Sequence, residues 1–139
     1  MATELVRVVY RSRSTLHPDN ALALDQIFRT AVTNNRRHSL TGCLLHPDGH
    51  FVQVIEGKKQ KVDELMARLA SDPRHTEVSI LGIWSSPARL FTGWAMARPN
   101  LTPIQQQSLR IINEVGSGSQ VTAIMLALVE KSVGFYPLI

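Results

Sequence analysis

The chain has 139 residues, 44% of them hydrophobic, and a formal net charge of +4, which together indicate one soluble domain and favour an anionic partner such as nucleic acid, a membrane surface or a phosphorylated ligand. Cys43 is the only cysteine, so an intrachain disulfide is excluded and a cysteine-based zinc site or iron–sulfur cluster is not credible. Because no apolar run reaches the roughly 18 residues of a membrane-spanning helix, we expect a cytoplasmic protein without a membrane partner.

The N-terminal part of the chain predicts a strand followed by a helix. Residues 5–11 alternate as in a strand, and one face of it is formed by Val6, Val8 and Tyr10. Asn20 is a good N-cap for a helix that ends near Asn34 and Asn35. The apolar side of that helix is formed by Leu24, Ile27, Phe28 and Ala31.

A hairpin is predicted between residues 39 and 57, where two strands flank a Pro-Asp-Gly turn. Alternate residues of a strand share a face, so Gln53 points the same way as Phe51 and Ile55, and the two valines between them point the opposite way. Both faces therefore look buried. A buried amide without hydrogen bonds costs about 1–3 kcal/mol, so Gln53 needs a partner.

Residues 61–73 contain the clearest helix of the chain, with Pro73 at its end. Its apolar face is formed by Val62, Leu65, Met66 and Leu69. Strand candidates follow at 77–84 and 91–97. The order βαββαβ plus one strand favours an α+β fold, a ferredoxin-like sheet with both helices on one face.

Two further helices are predicted near residues 103–115 and 120–131, separated by a Gly-Ser-Gly-Ser break. The second is apolar nearly all round, and so short a helix of that kind must be buried. We therefore expect both helices to cover the sheet face that the first two helices leave bare.

Polar side chains gather on one side of the predicted sheet. Tyr10 and Gln53 share a face, where a phenol and an amide can form a hydrogen bond, although an isolated pair is most often a satisfied core pair. Asn34 and Asn35 either cap the first helix or present donors and acceptors to a flat heterocycle.

Two later stretches add side chains beside this face. Trp94 and Met96, two residues apart on one strand face, either fill the core or line a pocket. Asp72, Arg74 and His75 follow the second helix and form either a polar clamp or a solvated turn.

Five stretches, in order between Leu5 and Ala97, resemble the blue-light-sensing flavin domain called BLUF. They are "VVYRS" with Tyr10, "NNRRHSLTG" with Asn35, "GHFVQVIEG" with Gln53, "DPRH", and "RLFTGWAM" with Trp94 and Met96. The resemblance implies a BLUF flavin-binding domain over residues 1–97 and a C-terminal helical extension over residues 98–139. It also implies FAD, bound noncovalently between the two helices on one face of the sheet.

The resemblance implies a set of cofactor contacts. Asn35, with Asn34 close by, would hydrogen-bond the polar edge of the isoalloxazine ring, and Gln53 would contact the ring as well. The ring faces would pack against Ile27, Leu44, Phe51 and Leu69. The ribityl and phosphate end of FAD would contact Arg68, Asp72, Arg74 and His75. The anionic pyrophosphate would then account for the net positive charge of the chain without a nucleic-acid partner.

The resemblance also implies a photochemical switch. Under blue light Tyr10 would give an electron to the flavin, a proton would move through Gln53, and the glutamine side chain would be left rotated or tautomerised. The altered hydrogen bonds are the signal, visible as a small red shift of the flavin absorption that decays in the dark. Trp94 and Met96 would pass the change to the C-terminal helices, and which of them neighbours Gln53 stays open.

A photoreceptor of this kind is not an enzyme, and its output passes to another protein. We expect the roughly 40 residues after the match to form two helices, since a stretch of that length is too short for a catalytic domain. The resemblance implies a downstream effector such as a cyclic-nucleotide or cyclic-dinucleotide enzyme, or a transcription regulator. Homo-oligomerisation through the sheet or the tail is also expected.

Two other classes of function compete with this reading. A light-independent ferredoxin-like regulatory or nucleic-acid-binding module fits the charge, but RNA-binding sheets display aromatics on an open face, so nucleic acid is not the expected partner. A small hydrolase using Cys43 or a histidine lacks a visible arrangement of base and nucleophile.

Two positions depart from the pattern of the family. Ala31 stands where many relatives have a small polar residue, and His46 replaces the usual tyrosine. His46 and His50 flank the hairpin turn and are interpreted as surface residues rather than as a metal site. Cys43 is interpreted as a small buried hydrophobe.

Overall fold

The computed structural model describes residues 5–16, 20–46, 49–92, 95–98, 104, 107 and 117–131. The strands in this part of the chain are β1 (Leu5–Ser14), β2 (Thr41–Leu45), β3 (His50–Lys58) and β4 (His75–Ser86). The helices are α1 (Ala21–His38), α2 (Lys59–Ala70) and α3 (Gly118–Lys131). Trp94 and nearly all of the helix predicted near 103–115 lie outside the described residues. No described helix is long and apolar enough to cross a membrane.

The four strands form one antiparallel sheet in the order β2-β3-β1-β4. With α1 and α2 on one face, this confirms the predicted ferredoxin-like α+β fold. The strand predicted at 91–97 contributes, in its described residues, a parallel bridge between Ala97 and Cys43 of β2. The hydrogen bonds from the Ala97 N–H to the Gly42 carbonyl and from the Leu44 N–H to the Ala97 carbonyl are both 2.9 Å long.

Helix α1 begins as the sequence predicts and ends one turn later. The Asn20 side chain accepts a hydrogen bond of 3.2 Å from the Ala23 N–H, which caps the first turn. The predicted end near Asn34 and Asn35 is wrong, because the helix closes at Ser39, whose φ of 56° is left-handed. The two asparagines are therefore helical residues, and Asn35 is buried rather than capping.

The sheet separates two apolar layers. On the first face, β1 and β3 pack under α1 and α2, in a cluster that includes Val8, Ile27, Phe28, Phe51 and Ile55. The other face packs against α3, in a cluster that includes Val9, Val52, Val54, Val121 and Met125. The prediction that an apolar C-terminal helix covers the second face is thus confirmed for α3. No open aromatic sheet face of the RNA-binding kind is present in the described layers.

Helix α3 begins against the edge strand at a glycine pair. Val9 lies opposite Gly82 and Tyr10 lies opposite Ile80, so β4 has one extra residue, Leu81, at this point. A Cβ atom on Gly118 would lie 3.0 Å from both the Gly82 nitrogen and the Leu81 carbonyl oxygen. Glycine therefore allows the first turn of α3 to lie directly on the bulge beside Tyr10.

Candidate functional site

Tyr10 and Gln53 lie directly opposite each other on β1 and β3. Tyr10 is fully buried, and Gln53 is 4% exposed. The Tyr10 hydroxyl donates a hydrogen bond to Gln53 Oε1. The partner that the buried amide requires is therefore the tyrosine on the neighbouring strand, because directly opposed residues of an antiparallel pair bring their side chains into contact.

The other end of the same amide faces a sulfur atom. Gln53 Nε2 lies 3.8 Å from Met96 Sδ, and Met96 is fully buried. Trp94 lies outside the described residues, so its place relative to Gln53 stays a prediction. Within the described part of the chain, Met96 is the neighbour of the glutamine.

A cleft of about 190 Å³ opens above this pair, between α1 and α2. Apolar side chains from α1, α2 and the sheet form much of its wall: Ile27, Leu44, Phe51, Leu65 and Leu69. Tyr10 and Gln53 line it together with polar and charged side chains: Asn34, Asn35, Arg68, Asp72, Arg74 and His75. Every residue assigned above as a cofactor contact lines this one cleft, and its contact with a cofactor stays a prediction.

Three lining residues were missing from the predicted contacts. Thr30, Ala31 and Leu65 also line the cleft. Helical spacing contains the signal that finds them, because residues three or four positions from Ile27 and Leu69 fall on the same helix face. An apolar cleft wall and a core-facing helix side have the same pattern, so Leu65 was assigned to the core, and Ala31 was noted only as a departure from the family pattern.

Asn35 connects α1 to the chain that contains Met96. Its side chain is buried, and Nδ2 donates a hydrogen bond of 2.6 Å to the carbonyl of Ala95. This bond uses one of the two N–H donors of Nδ2, so the Asn35 amide retains a second donor and the acceptor Oδ1 for other partners.

His75 packs against both aromatic residues of the cleft. Its ring centroid lies 4.5 Å from that of Phe51 and 6.4 Å from that of Tyr10. Nδ1 lies 2.7 Å from the hydroxyl of Ser12, which holds the ring orientation. Burial lowers the pKa of His75, so the imidazole in the cleft is neutral near pH 7.

The turn after α2 contains a partly exposed charged pair, and its role as a clamp on a ligand stays a prediction. Arg74 Nε and Nη2 donate to the two carboxylate oxygens of Asp72 at 3.0 and 2.7 Å. This hydrogen bonding lowers the pKa of Asp72. Burial, and then the negative charge of Asp72, raise the pKa of Tyr10, so its phenol stays protonated at physiological pH.

His46 is not the surface residue that the sequence predicts. It is half-buried, its ring centroid lies 4.7 Å from that of Phe51, and its buried Nε2 has no hydrogen-bond partner among the described residues. Burial, followed by the charge of Arg98, lowers its pKa. The described residues contain no group of three or more side chains arranged to bind a metal.

Cys43 is fully buried in the layer under α3. Burial raises the pKa of its thiol, which therefore stays protonated and enclosed by apolar side chains. Because a cysteine nucleophile must be an accessible thiolate, this environment argues against the hydrolase hypothesis for Cys43.

Comparisons with known proteins agree on one family. The sequence model of the BLUF family, described as sensors of blue-light using FAD, matches residues 5–97. The subunit beta of a photoactivated adenylate cyclase from Euglena gracilis is 46% identical over 77 residues. These residues are 55% of this chain and 9% of the cyclase subunit, so the chain spans only a small part of that relative.

Solved structures show the same fold over nearly the whole chain. The dark-state structure of the BLUF protein BlrB has a TM-score of 0.77 and 32% identity, and the match covers 96% of this chain and 100% of that one. Klebsiella pneumoniae BlrP1 with FMN and cyclic diGMP has a TM-score of 0.67 and 28% identity, with 91% of this chain and 35% of that one covered. The chain belongs to the BLUF family, whose members sense blue light using FAD.

Proposed function

We propose that this chain is a blue-light photoreceptor in which Tyr10 and Gln53 form the switch beside FAD in the cleft. One observation contributes most to this proposal: the hydrogen bond from the Tyr10 hydroxyl to Gln53 Oε1 lies where both residues line the cleft. A buried phenol and a buried amide in contact provide a proton donor and a group with two polar ends.

The chemistry of the cleft fits the ring end of FAD. Apolar walls suit the faces of a flat aromatic ring, and Asn35 Oδ1 and the Gln53 amide offer hydrogen-bonding groups at its polar edge. A cleft of about 190 Å³ is smaller than the roughly 300–1,000 Å³ of typical ligand sites, so the adenosine end must extend beyond it.

Arg68 is the better candidate for the phosphates of FAD. Arg74 is already neutralised by its forked pair with Asp72. Arg68 is exposed, lines the cleft and forms no ion pair with any described residue. Its charge is therefore available to an anionic ligand, and Arg74 would position Asp72 and the turn.

When bound, FAD supplies blue-light absorption and accepts an electron. Tyr10 is the electron donor in this proposal, and its proton leaves toward Gln53 Oε1, the atom to which the hydroxyl already donates. The buried phenol is protonated before illumination, because burial raises its pKa. Because the proton leaves with the electron, no tyrosine radical cation forms at this buried position, where an unpaired charge would be costly.

Rotation of the Gln53 amide gives a state that is formed by light and reverses in the dark. In the observed orientation, Oε1 accepts from Tyr10 and Nε2 is directed at Met96 Sδ. Rotation would place the carbonyl oxygen at the thioether, which has no proton to donate. The rotated amide is therefore less well satisfied beside Met96 and returns to the original orientation in the dark.

We propose that the signal leaves through Met96 and Trp94 toward α3 and then to an effector protein in the cytoplasm. This places the flavin-binding unit at residues 1–97 and the output extension at residues 98–139. The cyclase relatives support an effector such as a cyclic-nucleotide enzyme, BlrP1 with cyclic diGMP supports a cyclic-dinucleotide enzyme, and a transcription regulator is a further candidate. Homo-oligomerisation through the sheet or the tail is part of the proposal.

Absorption spectroscopy tests the function directly. The purified protein should be yellow, and a brief blue flash should cause a small red shift that reverses in the dark. Colourless protein that does not bind added FAD would contradict the proposal. DNA binding with a steep salt dependence would instead favour the nucleic-acid-binding alternative. A light-versus-dark pulldown then identifies the effector.

A further inference from the structure

A second buried polar cluster lies on the opposite face of β3. Glu56 is 2% exposed, and its carboxylate accepts four hydrogen bonds. Oε2 accepts from Arg7 Nε at 2.9 Å and from the Leu90 N–H at 2.7 Å. Oε1 accepts from the Thr41 hydroxyl at 3.0 Å and from the Phe91 N–H at 2.9 Å.

These bonds hold the start of the bridging segment, defined as residues 88–97, of which 88–92 and 95–97 are described. Arg7 also donates a hydrogen bond of 3.0 Å to the Ala88 carbonyl. Arg89 donates to the Thr41 hydroxyl at 3.0 Å and to the Glu56 carbonyl at 3.2 Å. The Glu56 cluster, consisting of Arg7, Thr41, Glu56 and Arg89, thus attaches this part of the chain to three strands.

The far end of the bridging segment is attached as well. Asn35 Nδ2 donates to the Ala95 carbonyl at 2.6 Å, and Ala97 hydrogen-bonds to β2. Met96 lies between these two attachments, with Sδ 3.8 Å from Gln53 Nε2. Gln53 and Glu56 belong to the same strand, β3. This strand therefore positions the Gln53 amide and, through Glu56, the start of the bridging segment that contains Met96.

We propose that Glu56 is a positioning residue for the photocycle. Its carboxylate holds the bridging segment in the register that keeps the Met96 sulfur as the acceptor of the Gln53 amide in the dark. This inference rests on the proposed function, because it assigns to Glu56 an effect on the return of the switch. Glu56 acts through Met96 and does not contact the cleft.

The test is a double-mutant cycle on the rate of dark recovery. Glu56→Gln keeps the side-chain shape, but its NH₂ group replaces one of the two oxygens, so either the Leu90 or the Phe91 N–H loses its acceptor. Met96→Leu keeps most of the volume and removes the sulfur. Glu64→Gln, on the exposed side of α2, is the matched control for the same chemical change.

Glu56→Gln should bind FAD, keep the red shift and slow dark recovery by about three-fold or more in the Met96 background. In the Met96→Leu background the same substitution should change the rate by less than about 1.5-fold. The positioning role would be overturned if Glu56→Gln left dark recovery unchanged or faster in the protein that keeps Met96. It would also be overturned if the substitution changed the rate equally with Met96 and with Met96→Leu.

A second variant keeps the test decisive if Glu56→Gln fails to fold. Thr41→Val removes one donor to the carboxylate and one acceptor of Arg89, and it leaves the Arg7 ion pair. It should show the same dependence on Met96 with a smaller slowing. Equal effects of Thr41→Val in both Met96 backgrounds would overturn the inference. A failure of the proposed function is distinguishable, because the unmodified protein would then show no reversible shift.

Discussion

Gln53 and Glu56 are buried polar side chains three positions apart on β3, and they lie on opposite faces of the sheet. The amide of Gln53 has one strong partner, the Tyr10 hydroxyl, and one weak partner, the Met96 sulfur. The carboxylate of Glu56 accepts four hydrogen bonds, one of them from the guanidinium of Arg7. The same strand therefore contains one loosely held and one tightly held polar group.

The difference shows how burial serves two opposite purposes. Rotation of the Gln53 amide exchanges few contacts, so the rotated arrangement lies only a small free energy above the first, which a reversible switch requires. A carboxylate with four donors has no distinct second arrangement, because a half-turn only exchanges its two equivalent oxygens and any smaller rotation would leave buried N–H groups unpaired. Three substitutions test this contrast, beginning with the largest expected loss of stability, and a pH titration then tests the two histidines.

Glu56→Ala should have the largest effect on folding. It leaves the Arg7 guanidinium buried without its ion-pair partner and the Leu90 and Phe91 N–H groups without an acceptor, so we expect a loss of about 3–5 kcal/mol. Urea unfolding followed by circular dichroism measures the change. Glu64→Ala, an exposed carboxylate, should cost less than about 1 kcal/mol. Similar losses of stability in Glu56→Ala and Glu64→Ala would show that Glu56 is not tightly held.

Gln53→Ala should cost less stability and more function. The Tyr10 hydroxyl loses its acceptor, which costs about 1–3 kcal/mol, and the apolar walls that hold the flavin remain. The protein should therefore remain yellow and show no reversible red shift. A normal photocycle in this variant would show that the amide is not the switch.

Tyr10→Phe should have a still smaller effect on folding. The ring keeps its packing, but the buried Gln53 Oε1 loses its donor, at a cost near the lower end of about 1–3 kcal/mol. The reversible shift should disappear, since phenylalanine has no proton to release and does not replace tyrosine as the electron donor. Flavin content and the spectrum after illumination are measured together, and a retained shift would exclude Tyr10 as the donor.

The pH dependence of stability should be the smallest effect. Burial lowers the pKa of both His46 and His75, so the unfolded chain binds more protons than the folded one below the unfolded histidine pKa of about 6.5. The free energy of unfolding should therefore fall as the pH falls from about 6.5 toward the lowered values. Urea unfolding between pH 8 and pH 5 checks the sign, and His75→Asn should reduce the slope. A free energy of unfolding that rises as the pH falls from 8 to 5 would contradict the lowered pKa values of the two histidines.

Periodicity in the sequence indicated that Tyr10 and Gln53 share a sheet face, and the family resemblance then assigned this pair to the site. Alternation along β1 and β3 placed Tyr10 and Gln53 on one face, because that pattern depends only on near neighbours in the chain. The cost of a buried amide then required a partner for Gln53. The helices that form the walls of the cleft, and the apolar helix on the other face, followed from the same kind of pattern.

The sequence alone did not reveal Glu56, which precedes a glycine near a strand end and looks like a solvated charge. Its donors Arg7 and the Phe91 N–H lie 49 and 35 positions away, so only the paired strands and the bridging segment show that it is buried. Met96 as the neighbour of Gln53, and His46 packed on Phe51, depend equally on tertiary contacts. Local patterns therefore determined which faces are apolar, and the tertiary structure decided which buried polar groups meet, because hydrogen-bond partners are chosen by proximity in space.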